Sequence, residues 1–378
     1  MLLGAWVHDI DPFAIQIWGG FGLRWYGLAY VAGFFIAYLM LRWMIRRGLT
    51  PIPAERAGDF ILFSAIAGVV GGRLGYALLY RPDLFVSFSS RVPFWDLLDI
   101  TQGGMASHGG MVGAAAAAWW FGRGFKAAGG GRVAKAGFLH CAELMALMAP
   151  PGLALGRLAN FVNGELLGRI VAAPGEPSPW WSVKFPQERI SGHAPALTLE
   201  QQIQLNEIVA PYMPQDPGFT AGEAFTIGYE RVVDLIQRGG PLGRSLAEQI
   251  APLLAARHPS QLYQAVAEGL LVGVVLWAVW YRRRPPGVIA AAFLLSYGAG
   301  RVATEFWRLP DAHLQAPRVL GLSRGQWLSA LMIVLGAGLL AWALLRARRR
   351  RARGEEVPMY GGWGEKREAL ARAPARSD

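Results

Sequence analysis

Arg157, Asn160, Asn163 and Glu165 stand close together in an otherwise apolar stretch, GLALGRLANFVNGELLGR (152–169). A central Arg costs about 2.5–3.5 kcal/mol on membrane-insertion scales, so polar groups kept in such a run point to a function. Arg157, Asn160 and Gly164 are spaced i, i+3, i+7 and share one helical face. A guanidinium beside two amides and a carboxylate suits an anion, phosphate above all, because Arg presents a planar fork of donors. The same residues also allow an internal Arg157–Glu165 pair that closes a helix end.

A second stretch, SYGAGRVATEFWRLPD (296–311), repeats the theme. Tyr297, Arg301, Glu305 and Arg308 stay near one helical face, with Asp311 beyond them. Two Arg converging on one site would neutralise a phosphate diester; an i,i+4 Arg301–Glu305 pair that serves only packing is the alternative. A third polar stretch, HPSQLYQAVAEG (258–269), opens with His258 and Pro259, a helix start. His108 lies among glycines in GGMASHGGMVG (103–113), and an imidazole titrates near pH 6.5, so it can accept a proton at neutral pH. Arg73, in GGRLGYALLY (71–80), adds a buried cation to a small-xxx-small pattern that reads as helix packing. Tyr26 sits at an interface, where an aromatic-belt role is the plain alternative.

The elements that must hold these groups follow from composition. Of 378 residues, 53% are hydrophobic and only 17% charged, with mean hydropathy +0.28. A soluble domain is nearer a quarter charged, so the chain reads as an all-α, polytopic integral membrane protein. Gly 48 and Trp 15 fit close helix packing and aromatic interface belts. Seven transmembrane helices are expected, over 26–44, 60–80, 104–122, 138–161, 262–281, 288–307 and 326–345. The third carries Gly103-Gly104 and Gly109-Gly110, which permit a broken helix. Basic residues follow the odd spans: Arg42, Arg46 and Arg47; Arg123, Lys126 and Lys135; Arg282 to Arg284; Arg346 and Arg348 to Arg351. That alternation puts the N-terminus outside and the C-terminus in the cytoplasm. Residues 1–345 then form one transmembrane catalytic domain, with an outward-facing cap segment at 169–257. Residues 346–378 are expected to be a basic, disordered cytoplasmic tail.

Other classes are disfavoured. A net charge of +11 could suit nucleic acid, but the basic residues flank apolar runs, where membrane topology accounts for them, so no nucleic-acid partner is expected. One cysteine, Cys141, excludes an internal disulfide. No zinc-spaced cluster, phosphate loop or serine nucleophile elbow is present, so neither metal nor cofactor is expected. No basic n-region marks a signal peptide. Cofactor-free chemistry on a lipid fits these absences, with a lipid or amphiphile transporter and a phospholipid-head-group enzyme as alternatives.

GRLANFVNGELLGR (156–169) closely resembles the signature of the bacterial prolipoprotein diacylglyceryl transferases. The resemblance extends to RWYGLAY (24–30), GGRLGYALLY (71–80), GGMASHGGMVG (103–113), HPSQLY (258–263) and YGAGRVATEFWRLPD (297–311), in the family's order. It implies a seven-span enzyme of the bacterial inner membrane, working toward the outer leaflet. Such an enzyme moves the diacylglyceryl group of phosphatidylglycerol onto the lipobox cysteine of a prolipoprotein, and glycerol 1-phosphate leaves. The partners implied are phosphatidylglycerol, the lipobox peptide and membrane lipids. The resemblance puts lipid binding on Arg157 and marks Tyr26, His108, Asn160, Glu165, Gly168 and Arg301. Residue 24 is Arg where some relatives have His, and Gln264 stands where a Glu often follows the Leu-Tyr pair. Taken with the residue reading, His108, Arg301, Tyr26 and Glu165 are the catalytic candidates. Arg157, Asn160, Asn163, Gly168, Arg73, Tyr297 and Glu305 are the substrate-binding ones.

Overall fold

The computed structural model describes residues 4–18, 21–90, 92–99, 104–126, 132–133, 136–309 and 323–364. Gly103, Lys135, Asp311 and the end of the tail, 365–378, lie outside these residues. Helices dominate: α1 (Trp25–Arg46), α2 (Ala57–Tyr80), α3 (Ser107–Gly122), α4 (Phe138–Val162), α5 (Leu199–Val209), α6 (Ala221–Arg238), α7 (Gly240–Ile250), α8 (Ser260–Gln264), α9 (Val272–Val279), α10 (Val288–Thr304) and α11 (Arg324–Ala352). A π-helical stretch, Ala265–Leu271, joins α8 to α9. The chain is mostly helical rather than all-α: short strands form one four-stranded and three two-stranded sheets among the described residues.

Among the described residues, five helical segments are long and apolar enough to cross a membrane: Trp25–Arg46, Ala54–Tyr80, Phe138–Val162, Ser260–Val279 and Gly325–Ala352. α3 and α10, with 16 and 17 residues, are shorter than the spans expected there. Burial is inverted relative to a soluble protein. Val31, Val112 and Val334 are 67%, 70% and 67% exposed, whereas Glu268 and Arg257 are wholly buried. Apolar side chains facing outward around buried charges are what a lipid solvent selects.

The chain divides into two compact units. One comprises 33–152, 271–298 and 332–378. Here α2 meets α3 through glycine. A Cβ on Gly75 would sit 2.7 Å from Gly109 Cα, and one on Gly71 would strike the Gly109 carbonyl. The small-xxx-small pattern is therefore a backbone-to-backbone contact. On α4, Glu143 Oε1 accepts from the N–H groups of Gly287 and Ile289 at 2.7 and 2.9 Å, capping the start of α10. Residues 346–352 continue α11 through the basic run, and β10 (Tyr360–Gly361) pairs antiparallel with β9 (Arg283–Arg284). The tail, expected to be disordered, is structured as far as Gly364. Tyr360 lies 4.1 Å from the His140 ring and Trp363 donates to the Trp277 carbonyl, so aromatic burial outweighs the chain entropy.

The other unit comprises 1–32, 153–270 and 299–331. It holds the segment 169–257, which folds around its own core of Leu205, Val209, Tyr229, Val232, Val233, Ile236, Leu246 and Ile250. Capping boxes at Thr198/Gln201 and Thr220/Glu223 start α5 and α6. The four-stranded sheet runs in the order β1 (Trp6–Val7), β7 (Val183–Lys184), β8 (Ala256–Arg257), β6 (Ile170–Ala172). Arg257, fully buried, pairs with Glu188 at 2.7 Å and also donates to the carbonyls of Gly168 and His193.

Candidate functional site

The end of α4 and the turn after it present the first group of polar residues. α4 stops at Val162 because Gly164 turns at φ +66°, and Leu166 also adopts a positive φ of 55°. A non-glycine residue in that region is strained and needs neighbours to hold it. The HPSQ segment supplies them. Ser260 Oγ donates to the Leu166 carbonyl at 3.0 Å, and Gln261 Nε2 donates to the Glu165 carbonyl. His258 packs beside Trp181, with ring centroids 5.1 Å apart, and its N–H donates to the Arg169 carbonyl.

Within this turn Glu165 accepts from Asn160 Nδ2 and Asn163 Nδ2, each at 3.1 Å, one on each carboxylate oxygen. Tyr26, near the start of α1, lies close to the Asn160 side chain and to Glu165. Tyr26, Asn160, Asn163 and Glu165 thus form one cluster. Gly168 fits a different need. A Cβ there would lie 2.9 Å from the His258 carbonyl carbon and would strike its oxygen. Gly168 bridges antiparallel to Arg308, flanked by Arg169 N–H to the Trp307 carbonyl at 2.9 Å and Leu309 N–H to the Leu167 carbonyl at 3.0 Å. Its role is close backbone approach.

The second group is a chain of ion pairs. Arg157 does not pair with Glu165. It donates from Nε and Nη2 to Glu268 Oε2 at 3.1 and 2.7 Å. Glu268 Oε1 accepts from Thr304 Oγ1 at 3.1 Å and lies 3.8 Å from Arg301 Nη1. Arg301 Nη1 also lies 3.0 Å from Glu305 Oε2, and Arg308 Nη1 3.9 Å from that oxygen. The i,i+4 Arg301–Glu305 pair is therefore real, but it is one link in a longer series. Ser323 Oγ donates to the other Glu305 oxygen at 3.0 Å.

Two glycines let Glu268 reach both arginines. A Cβ on Gly269 would meet Ala154 Cα at 2.8 Å, and one on Gly300 would meet the Ala267 oxygen at 3.1 Å. Glu268 itself sits in the π-helical stretch, a local widening that recurs at functional sites. Sequence reasoning passed over Glu268, although a carboxylate inside an apolar run was the available signal. Gln264, one turn earlier, is wholly buried, and neither of its amide atoms has a partner among the described residues.

Three expected site residues belong to the unit formed by 33–152, 271–298 and 332–378. His108 lies in the first turn of α3, half-buried. Tyr297 is buried and stacks on Phe293, with centroids 5.4 Å apart and planes 10° apart. The Arg73 guanidinium donates to the carbonyls of Leu97, Gly104, Asp96 and Asp99 at 2.7–3.1 Å. It ties the segment after α2 to that helix, and those donors are engaged by backbone.

Helices long and apolar enough to cross a membrane, with charged side chains buried among apolar ones, are those of a polytopic membrane protein. The family model for prolipoprotein diacylglyceryl transferase matches residues 12–342. A phosphatidylglycerol–prolipoprotein diacylglyceryl transferase of Bdellovibrio bacteriovorus is 40% identical over 344 residues, covering 87% of this chain and 92% of that protein. Proteins of the same name from Ralstonia pickettii and Idiomarina loihiensis are 35% and 33% identical, covering 90% and 88% of this chain and 95% and 93% of theirs. The chain belongs to the prolipoprotein diacylglyceryl transferase family.

Proposed function

We propose that this chain moves the diacylglyceryl group of phosphatidylglycerol onto the lipobox cysteine thiol of a prolipoprotein, the first step of bacterial lipoprotein maturation. Family membership supports the reaction class. The observation that carries the site is the series Arg157, Glu268, Arg301, Glu305, Arg308. Its guanidinium groups present the planar donor forks that suit the oxygens of a phosphodiester. Arg301 Nη1 and Glu305 Oε2 approach without hydrogen-bond alignment, so hydrogen-bonding capacity is left there for a guest.

The thiol sulfur attacks the primary glycerol carbon of the diacylglycerol next to the phosphate. A carbon–sulfur bond forms, the carbon–oxygen bond to phosphate breaks, and its electron pair stays on the phosphate oxygen. sn-Glycerol 1-phosphate leaves. Only the thiolate reacts well, so a base takes the thiol proton. His108 is proposed for that task, on its resemblance motif and on the capacity of an imidazole nitrogen to accept a proton. Negative charge grows on phosphate in the transition state, and preorganised cations such as Arg157 and Arg301 act most strongly on charge that develops there. Tyr26, Asn160, Asn163 and Glu165 hold the lipid glycerol. Gly168 sets the turn, and Arg73 positions the segment after α2.

The proposed topology has seven crossings in the bacterial inner membrane, with the N-terminus and cap outside and the site toward the outer leaflet. α3 and α10, at 1.5 Å per residue, span about 24–26 Å, short of a core of about 30 Å, a mismatch that local thinning absorbs. Mass spectrometry of a lipobox peptide incubated with phosphatidylglycerol and this protein tests the activity. A diacylglyceryl adduct, with glycerol phosphate released only when peptide is present, supports it. Glycerol phosphate released without peptide points to a head-group hydrolase, and no chemistry at all to a transporter.

A further inference from the structure

α11 ends beside an open groove of about 520 Å³ lined by Trp342, Leu345, Arg346, Arg349, Arg350, Arg353 and Glu355. We propose that this groove binds a phosphate-bearing anion at the basic end of α11, separate from the ion-pair series of Arg157 and Arg301. Nearly all of it lies beyond the residues that match the family model, which end at 342.

The lining follows from helix periodicity. Positions 342, 345, 346, 349, 350 and 353 recur at i, i+3, i+4, i+7, i+8 and i+11, one face of a single helix. Arg348 and Arg351 fall off that face, so the run of arginines is divided between the groove and its back. A Schellman turn then brings one carboxylate to the rim. Gly354 takes φ +71°, its N–H donates to the Arg351 carbonyl at 3.0 Å, and Glu355 N–H donates to the Arg350 carbonyl at 2.9 Å. Glu355 thereby lies 2.9 Å from Arg350 Nε and 3.8 Å from Arg353 Nη1.

Among the described residues, four arginines face one glutamate there, more positive charge than α11 needs to complement its own C-terminal dipole. Arg forks bind phosphate oxygens bidentately. Trp342, with the Arg346 guanidinium 5.0 Å from its ring, and Leu345 add an apolar wall at the end of a helix apolar enough to cross a membrane. That pairing of charge and apolar wall fits a lipid phosphate. A free phosphate would use the charges alone. Glu355 occupies two of the arginines and competes with either guest.

Native mass spectrometry of the full chain in detergent tests the site with dioleoyl phosphatidate and, separately, inorganic phosphate. Arg349→Gln with Arg353→Gln is expected to lower bound phosphatidate about tenfold, and Glu355→Gln to raise it severalfold, while lipid transfer to a lipobox peptide stays at the wild-type rate. If phosphatidate is lost in the double variant and excess inorganic phosphate does not displace it, the guest is a lipid head group. Displacement by inorganic phosphate supports the anion site but assigns it to a free phosphate. Equal phosphatidate and phosphate binding by wild type and both variants overturns the proposal.

Discussion

Arg157 gives two hydrogen bonds to a single oxygen of Glu268, across 111 residues of sequence, while the second oxygen of that wholly buried carboxylate faces Thr304 and Arg301. One residue therefore sets the positions of both arginines. A buried pair of this kind is weak evidence of stability, because desolvation offsets the Coulomb attraction. Its plainer consequence is preorganisation: the guanidinium planes are fixed before a substrate arrives.

Replacing Glu268 with Gln keeps the shape and removes the charge. The lipid-transfer rate is expected to fall by about 10²-fold, the scale of losing one preorganised electrostatic partner. Arg157→Lys, which keeps charge but loses the planar fork, is expected to cost a similar factor. The two changes together should cost little more than either alone, since residues in one network are not additive. Rates of diacylglyceryl transfer in membranes measure this, and simple multiplication of the two losses would show that the residues act independently.

His108→Gln is expected to lower the rate of lipid transfer to a lipobox peptide by about 10²-fold or more, the scale of losing a general base. A variant that retains the wild-type rate removes His108 as the base.

His8 lies outside the membrane-spanning segments, packed among Trp6, Phe161 and Phe185, with Gln187 Nε2 3.3 Å from its Nδ1. Burial pushes its pKa from 6.5 down to about 4. The unfolded chain thus takes up a proton on acidification before the folded one does. Stability from this group is complete above pH 6.5 and is lost as pH falls toward 4, on the order of 3 kcal/mol in all. His8→Phe, which cannot titrate, should flatten the fall in unfolding temperature between pH 7 and pH 5, read by intrinsic tryptophan fluorescence in detergent.

Arg257→Ala would leave Glu188 buried without its partner, and burial already holds that carboxyl above its ordinary pKa. A loss of about 3–5 kcal/mol is expected for the segment 169–257. Limited proteolysis should cut this segment far faster in the variant than in wild type.

Gly168→Ala would drive a methyl into the His258 backbone. Overpacking of this kind costs about 1–3 kcal/mol. Both transfer activity and protease resistance of the cap are expected to drop together, whereas Arg157→Lys should lower activity alone. A Gly168→Ala protein that loses activity with wild-type protease resistance would move Gly168 from support of the turn to contact with substrate.

Arg157, Asn160, Asn163, Glu165 and Arg301 could be picked out from the chain alone, because charge and amide in an apolar run are expensive wherever the run folds. The same logic made the membrane class readable, since it depends on composition. Which charge meets which did not follow. Arg157 and Glu165 are eight positions apart and look like partners, yet the turn at Gly164 gives Glu165 to the two asparagines and leaves Arg157 for Glu268. That choice needed a π-helical widening, the bare backbones of Gly269 and Gly300, and a Tyr26 contact across the fold, none of which has a local signature. Local sequence determined where charge is held in the apolar helices; only tertiary packing, which sets distances between segments far apart in the chain, decided how that charge is paired.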